Sequence, residues 1–263
     1  MPVSFVEHLD FLHAIAGFLV GILIGLTGVG GGSLMTPLLV LMFGVSPHTA
    51  VGTDLLFAAA TKVAGSAVHN KRQTVDWTIM RRLAMGSLPA SILTLAALSY
   101  FGKLDSETSH IVLYALGGLL IVTAVVTLFQ GRIVRVAREH EVVSPAHARL
   151  PTIVLGVLLG VAVSISSVGA GAIGVTALLI LYQRIPMARL VGTDIAHAVP
   201  LALVAGVGHW VMGDVDFALL VNLLVGSIPG VVIGSLFSSR APDRVLRPAL
   251  ASVLLFSGIK LLT

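Results

Sequence analysis

The sequence Val-Gly-Thr-Asp occurs twice, ending at Asp54 and again at Asp194. A carboxylate near the start of an apolar segment can bind a proton or a cation, and it can also accept the free backbone N–H groups of a helix start. His197 follows Asp194 by three residues and so shares its helix face, whereas Phe57 takes that position in the first copy. Because histidine titrates near neutral pH, Asp54, Asp194 and His197 are candidates for ion coupling, with helix capping as the alternative for the two carboxylates.

Lys62 is a further ionisable residue inside an apolar segment. It lies eleven residues after Val51, where the segment begins, and therefore near the middle of a membrane span. A charge at that depth costs about 2.5–3.5 kcal/mol to insert, so it usually faces a cavity or a partner. The equivalent residue of the second copy is Ala202. Contact with an anion, or a role as a gate, is one interpretation; an ion pair with Asp54 is the other, although eight residues along a helix exceed direct contact.

Two glycine-rich breaks interrupt the apolar sequence, at residues 28–33 and 166–171. Each precedes an eleven-residue apolar piece, 33–43 or 172–182, and such a piece rises only about 16 Å as a helix, too little to span a bilayer. The first turn of a half-helix presents unpaired N–H groups and a positive dipole end, which suit an anion. Close helix packing through small residues is the alternative. The predicted substrate contacts are Gly30, Gly31, Gly32, Ser33, Thr53, Lys62, Ser166, Ser167, Gly169, Gly171 and Thr193.

The composition places these residues in a membrane protein. Hydrophobic residues make up 56% of the chain, charged residues make up 11%, and the mean hydropathy is +1.02, beyond the range of soluble globular domains. The chain has no cysteine, which excludes disulfides and thiolate metal sites, and its carboxylates are too dispersed for a metal site. We expect no cofactor, and we expect no nucleic-acid partner because the basic residues form no stripe.

The chain repeats itself, so that the sequence that begins at Val51 recurs at Val191. Twelve of the forty positions from 51 to 90 are identical to their equivalents at 191–230, a period of half a protein rather than of a solenoid unit. Apolar segments recur in both halves, at 11–27, 33–43, 51–69, 79–101 and 109–129, then at 152–168, 172–182, 191–212, 217–239 and 246–262. A duplicated half in so apolar a chain is typical of transporters whose substrate binds between the repeats.

The basic residues predict that the two halves are inverted in the membrane. If the segment 130–150 is cytoplasmic and each broken pair is a hairpin that returns to its own side, 13 of the 16 Lys and Arg residues lie in cytoplasmic loops. The loop 70–78 is then inside, and its repeat partner 210–218 is outside. The alternative, one kinked span for each broken pair, makes the halves parallel and puts the basic loop 70–78 outside. His69 and His209, which end equivalent segments, are expected to anchor at the interfaces.

The predicted fold is an all-α integral membrane protein of the inverted-repeat type. Residues 1–129 form the first transmembrane repeat, 130–150 a basic cytoplasmic linker and 151–263 the second, inverted repeat. Each half contains a glycine-broken, re-entrant-type hairpin and three transmembrane helices. The hairpin tips enter from opposite faces and should meet near the midplane in a pseudo-symmetric site.

The stretch Gly-Leu-Thr-Gly-Val-Gly-Gly-Gly-Ser-Leu-Met-Thr-Pro, from Gly25 to Pro37, resembles the TauE/SafE family of sulfite and organosulfonate permeases, as does the Val-Gly-Thr-Asp that ends at Asp54. The likeness extends over nearly the whole chain. It implies a multi-pass carrier in the bacterial inner membrane, with two repeats and a small sulfur-containing oxyanion as substrate. The second break departs from the full glycine-rich motif, since Ser166, Ser167, Ala170 and Ala172 replace much of it, so the two halves should contribute differently.

The residues and the resemblance together predict a secondary transporter that moves a small sulfur-containing anion, such as sulfite or an organosulfonate, by alternating access. Its partners would be that anion and the lipid bilayer, and a homodimer is left open. A channel for anions or metal cations is the first alternative. An intramembrane hydrolase that uses Ser166 or Ser167 with His197 is the second, but no Gly-x-Ser-x-Gly elbow surrounds these serines, and we expect no enzyme.

Overall fold

The computed structural model describes residues 11–27, 32–71, 73–101, 108–138, 148–237 and 243–263. These residues form ten α-helices and no β-strand. In chain order the helices are α1 (Phe11–Thr27), α2 (Gly32–Phe43), α3 (Pro47–Lys71), α4 (Trp77–Phe101), α5 (Thr108–Arg138), α6 (Arg149–Ser166), α7 (Ala172–Leu181), α8 (Met187–Met212), α9 (Phe217–Phe237) and α10 (Asp243–Leu262). The prediction of an all-α protein is confirmed for this part of the chain.

Several of the helices are long and apolar enough to cross a membrane. Within the described residues the five such stretches are Trp77–Tyr100, Val112–Ala137, Arg149–Ser166, Met187–Met212 and Phe217–Gly234. Shorter apolar stretches lie at Phe11–Gly25, Leu34–Phe43 and Ala172–Leu181. The outer surface carries large apolar side chains such as Leu93 and Phe256, each 70% exposed, and an exposed apolar surface of this kind marks contact with lipid. The chain is a multi-pass membrane protein.

The helices α3 and α8 begin four residues before the predicted apolar segments, at Pro47 and Met187. Proline is favoured in the first turn of a helix, where its missing N–H would be unpaired in any case. The Ser46 hydroxyl supports the start of α3 by accepting a hydrogen bond from the Thr49 amide, at 3.3 Å. Asp54 and Asp194 therefore each lie seven residues inside a helix, and the interpretation that they cap helix starts is wrong.

The helix α5 continues to Arg138, nine residues beyond the predicted end at 129. The start of the segment 130–150 is thus helical rather than an irregular linker, because the arginines and glutamine there are good helix formers. Gln130 connects this extension to two other helices. Its side-chain amide donates to the Thr176 hydroxyl on α7 at 2.9 Å, and its side-chain oxygen accepts from Arg247 on α10 at 2.8 Å.

The first helix of each half packs against the fourth helix of the other half. Where α1 crosses α9, Gly21 lies so close to the Ser227 carbonyl that any side chain at this position would overlap it. Where α6 crosses α4, Gly160 meets the Ser87 carbonyl in the same way. Ser87 and Ser227 occupy equivalent positions of the repeat, so the two crossings are equivalent as well. Small residues at these crossings let the backbones approach closely, so that each half packs against the other at two equivalent places.

The third helices of the two halves, α3 and α8, pack against each other at the centre of the molecule. An apolar cluster that includes Leu55, Ala59, Leu201 and Ala205 fills their contact. The two helices also carry all four of the ionisable candidates identified in the sequence. The candidate site is therefore built on the contact between the repeats.

Candidate functional site

Asp54 is completely buried on α3 and is held by a neighbouring helix. The Thr36 hydroxyl on α2 donates a hydrogen bond to Oδ2 of Asp54. The Ser167 hydroxyl of the second break lies near the same carboxylate. However, neither this hydroxyl nor Oδ1 of Asp54 has a hydrogen-bond partner among the described residues. One carboxylate thus lies next to Thr36, which follows the first break, and Ser167, which belongs to the second.

Asp194, the repeat equivalent of Asp54, lies against the start of α7. Its side chain is buried, with the residue 1% exposed. The carboxylate packs directly onto Gly174, where any added side chain would overlap Oδ1, and the backbone N–H of Gly171 faces it. Oδ1 has no hydrogen-bond partner among the described residues. A carboxylate of the protein itself therefore occupies the positive end of the half-helix, where the sequence predicted an anion.

Lys62 is partly buried on α3 and interacts with both carboxylates rather than with one of them. Its ammonium group interacts electrostatically with Asp194 and with Asp54, and it also acts on the His197 ring. The structure thus brings together the ionisable candidates from both halves in one cluster. Since Ala202 is the repeat equivalent of Lys62, this one cation interacts with the carboxylates of both halves.

His197 is completely buried and contacts α4. Its Nε2 lies 2.7 Å from the Ser87 hydroxyl, and its Nδ1 has no hydrogen-bond partner among the described residues. No hydrogen bond joins His197 to Ser166 or Ser167 in the part of the chain that the structure describes. The geometry of these residues is not that of a serine nucleophile with its histidine base, which requires the two to be within hydrogen-bond reach.

The second break is buried and passes through left-handed backbone. Ser167 has a φ of 58°, Gly169 of 124° and Gly171 of 116°, and the values at the two glycines strain any residue with a side chain. The Ser166 hydroxyl donates to the Ala162 carbonyl at 2.8 Å and so supports the end of α6. This turn presents the Ser167 hydroxyl and the Gly171 amide to the two carboxylates.

Part of the first break lies outside the described residues. This holds for Gly30 and Gly31, predicted as substrate contacts, and for the side chain of Ser33. Gly32 is the first residue of α2, the helix that carries Thr36.

Thr53 and Thr193 are completely buried, and each holds a loop of the opposite half. The Thr53 hydroxyl accepts the Asp216 amide at 3.1 Å, and the Thr193 hydroxyl accepts the Asp76 amide at 2.8 Å. The two threonines are repeat equivalents, and so are the two aspartates, which makes the hydrogen bonds reciprocal. These hydroxyls contribute to the contact between the halves, and their contact with substrate stays a prediction.

Several polar residues of the site escaped the sequence prediction. Thr36 is the most direct of them, and its repeat equivalent is Thr176. These two threonines lie outside the stretch of highest identity between the repeats. They are nevertheless separated by the same number of residues as Asp54 and Asp194, and this equal separation could have identified them. Nothing in the sequence indicated that other polar residues, such as Ser87, belong to the site, because their contacts depend on which helices pack together.

His209 is buried inside the protein, although the sequence predicted that it would anchor at the membrane interface. The residue is 1% exposed, its Nε2 lies 2.9 Å from the Ser164 carbonyl, and its Nδ1 lies 3.5 Å from the Asp214 carboxylate. The prediction is wrong for His209, because a ring that ends an apolar segment can turn inward as readily as outward. The side chain of His69 lies outside the described residues.

The apolar helices and a buried ionisable cluster between two repeats are features of a multi-pass membrane transporter, and comparison with known proteins supports that class. The profile of the "Sulfite exporter TauE/SafE" family matches residues 13–261. The chain belongs to this family.

Several relatives match nearly the whole chain. The "Probable membrane transporter protein YjnA" of Bacillus subtilis is 40% identical over 249 residues, which are 94% of this chain and 97% of the relative. A second Bacillus subtilis protein, "Probable membrane transporter protein YdhB", is 31% identical over 251 residues, 93% of this chain and 97% of that one. A "Probable membrane transporter protein" of Methanocaldococcus jannaschii is 26% identical over 270 residues, 95% of this chain and 94% of that one. No solved structure matches the chain.

Proposed function

We propose that the protein is a secondary transporter that moves a small sulfur-containing anion, such as sulfite or an organosulfonate, across the bacterial inner membrane. The observation that carries the proposal is the position of Lys62, a partly buried cation in the middle of α3 that interacts with two buried carboxylates. A positive charge inside a membrane protein usually serves an ion or substrate pathway. The family to which the chain belongs is described by sulfite export, and a cation is the group that attracts a small oxyanion.

The substrate would bind between Lys62 and the two breaks. The Gly171 amide and the Ser167 hydroxyl would donate hydrogen bonds to its oxygens, and the lysine would supply the opposite charge. Asp54, Asp194 and His197 are the coupling residues of this proposal. Because the cluster holds two carboxylates and one ammonium, a further anion enters at lower cost if a carboxylate takes up a proton at the same time.

Alternating access would follow from an inverted arrangement of the halves. Two observations support it: the reciprocal crossings of α1 with α9 and of α6 with α4, and the reciprocal hydrogen bonds of Thr53 and Thr193. Contacts that exchange in this way are those that a two-fold relation between the halves produces. Because Thr53 lies near the start of α3 and Asp216 just after the end of α8, their hydrogen bond also indicates that these equivalent helices run in opposite directions, which supports inverted rather than parallel halves. Together with the charge distribution of the loops, they favour rocking of the halves about the central α3–α8 contact.

Counterflow in liposomes tests this function. Purified protein is reconstituted in vesicles loaded with unlabelled sulfite, and the entry of radiolabelled sulfite is followed after dilution. A carrier accumulates label transiently above its outside concentration, whereas a channel only lets the label equilibrate. Lys62→Ala should abolish the accumulation, and Lys260→Ala, which removes an exposed lysine of α10, should retain it. Simple equilibration by the wild type, or full accumulation by Lys62→Ala, would contradict the proposal.

A further inference from the structure

The two equivalent carboxylates of the site have different surroundings. Asp54 accepts a hydrogen bond from Thr36. Asp194, its repeat equivalent, receives none from Thr176, the equivalent of Thr36. Its carboxylate faces the backbone N–H of Gly171 instead. Oδ1 is buried without a hydrogen-bond partner in both carboxylates, among the described residues, but only Oδ1 of Asp194 lies on Gly174 at the start of a half-helix. An unpaired carboxylate oxygen is costly, and movement of Asp194 away from this position would relieve the cost.

Thr176 is held away from Asp194 by a chain of hydrogen bonds. Its hydroxyl donates to the Ala172 carbonyl at 2.7 Å and accepts from the Gln130 side chain at 2.9 Å. Gln130 in turn accepts from Arg247 at 2.8 Å. Because Gln130 and Arg247 belong to α5 and α10, helices outside the α7–α8 contact maintain the difference between the two carboxylates.

The place that Asp194 occupies is the place predicted for the substrate. Its carboxylate lies on Gly174 and faces the Gly171 amide at the start of the ten-residue helix α7. Lys62 acts on it from α3. Backbone N–H groups, a helix N-terminus and a cation are the groups that an oxyanion requires. A carboxylate and a sulfonate or sulfite group compete for such a site because they present the same kind of acceptor oxygens.

We propose that Asp194 is a tethered anion: it occupies the oxyanion subsite at the start of α7 in the empty transporter and leaves when the substrate enters, taking up one proton from solvent. This inference rests on the proposed function and specifies its coupling. The protonated carboxyl carries no charge and so no longer competes for Lys62. One anion and one proton would therefore bind together, while Asp54 keeps its hydrogen bond from Thr36.

Few ionisable side chains lie on the helices packed against Asp194, so the proton taken up on anion binding can be attributed to one of them. On α3 they are Lys62 and Asp54, and on α8 itself they are His197 and Arg189, the latter paired with Asp76 at 3.3 Å. The helix α7 has no ionisable side chain, and α6 has only Arg149 at its first residue. On α4, Arg82 donates to the Tyr182 hydroxyl at 3.2 Å. Asp194 is the acid of this group that lies in the anion subsite.

The test is the pH dependence of anion binding to the purified, full-length protein. The probes are thiosulfate and methanesulfonate, which stay ionised across the neutral range, whereas sulfite itself takes up a proton there. Wild-type affinity should fall by about tenfold for each pH unit once Asp194 is ionised in the empty protein, as uptake of one proton with each anion requires. Asp194→Asn should bind the probes with an affinity that no longer depends on pH. Lys260→Ala, which removes an exposed lysine of α10 outside the site, should keep the wild-type slope.

A second measurement does not depend on how well a variant folds. Adding either probe to the wild-type protein in weak buffer should raise the pH by an amount that corresponds to one proton taken up per anion bound. A pH-independent wild-type affinity, no proton uptake, or an unchanged slope in Asp194→Asn would overturn the inference and leave anion transport intact. An absence of binding by the wild type at every pH would contradict the proposed function and the inference together.

Discussion

The Thr36 hydroxyl donates a hydrogen bond to the buried carboxylate of Asp54. The two residues belong to α2 and α3, so the contact ties the helix that follows the first break to the central helix of the first half. The equivalent contact does not exist between Thr176 and Asp194. The two equivalent carboxylates, Asp54 and Asp194, therefore have different hydrogen-bond donors. The proposed coupling of proton uptake to anion binding at Asp194 alone depends on this difference.

Thr36→Val should destabilise the protein by about 1–3 kcal/mol, because it leaves a buried carboxylate oxygen without its donor. Thermal unfolding in detergent measures the loss. Thr176→Val is the matched control and should cost less, since its hydroxyl pairs with two neutral groups, the Ala172 carbonyl and the Gln130 amide, rather than with a buried carboxylate. Equal destabilisation by the two variants would contradict the unequal roles of these threonines.

Substitution at the helix crossings should prevent folding. Gly21→Val and Gly160→Val each introduce a side chain where the backbone of the facing helix already lies, and overpacking of this kind costs about 1–3 kcal/mol or more. The yield of monodisperse protein after purification is the measurement. Gly118→Ala on α5 is the control, because a side chain there meets nothing within 4 Å. Normal yield of both valine variants would refute the interlocked crossings.

Thr53→Val and Thr193→Val should each lower stability by about 0.5–1.5 kcal/mol, because the Asp216 or Asp76 amide loses its acceptor. The same variants also test direct substrate contact by these hydroxyls. Loss of stability with unchanged anion affinity would assign them to the contact between the halves. Loss of affinity with unchanged stability would assign them to the substrate instead.

The inverted arrangement predicts that Thr78 and Ala218 face opposite sides of the membrane. They are repeat equivalents, both exposed, in the first turns of α4 and α9. The chain has no cysteine, so Thr78→Cys and Ala218→Cys each provide a single labelling site. A membrane-impermeant maleimide on intact cells should label Ala218→Cys, and Thr78→Cys should react only after the cells are opened. Labelling of both from the same side would favour parallel halves.

Most of the fold could be predicted from the apolar runs, because a membrane span needs a continuous apolar stretch. The predicted bounds of α1 are those observed, and those of α7 differ by one residue. The errors arose where polar residues extend a helix. The helix α3 begins at Pro47 rather than Val51, and this shift is the reason that the helix-cap alternative for Asp54 is wrong. The predicted end of α5 at residue 129 is wrong for the same reason, because polar residues extend this helix to Arg138.

The candidate site was predictable only in part. Charge inside an apolar run identified Lys62, and the repeat identified Asp54 and Asp194. The contacts of those residues depend on which helices cross, and periodicity does not determine this. Thr36 looked like one more small residue in an apolar helix until the fold placed it on Asp54.

The most direct test of the central claim is a comparison of anion binding by the wild-type protein and by Lys62→Ala. Calorimetric titration of purified protein with sulfite, thiosulfate and methanesulfonate should give saturable binding of at least one of them. Lys62→Ala should weaken that binding by about tenfold to a hundredfold, the effect of removing a charged hydrogen-bond partner worth about 1.5–3 kcal/mol. Lys260→Ala should bind as the wild type does. Undiminished binding of every anion by Lys62→Ala would contradict an anion site at the contact between the two halves.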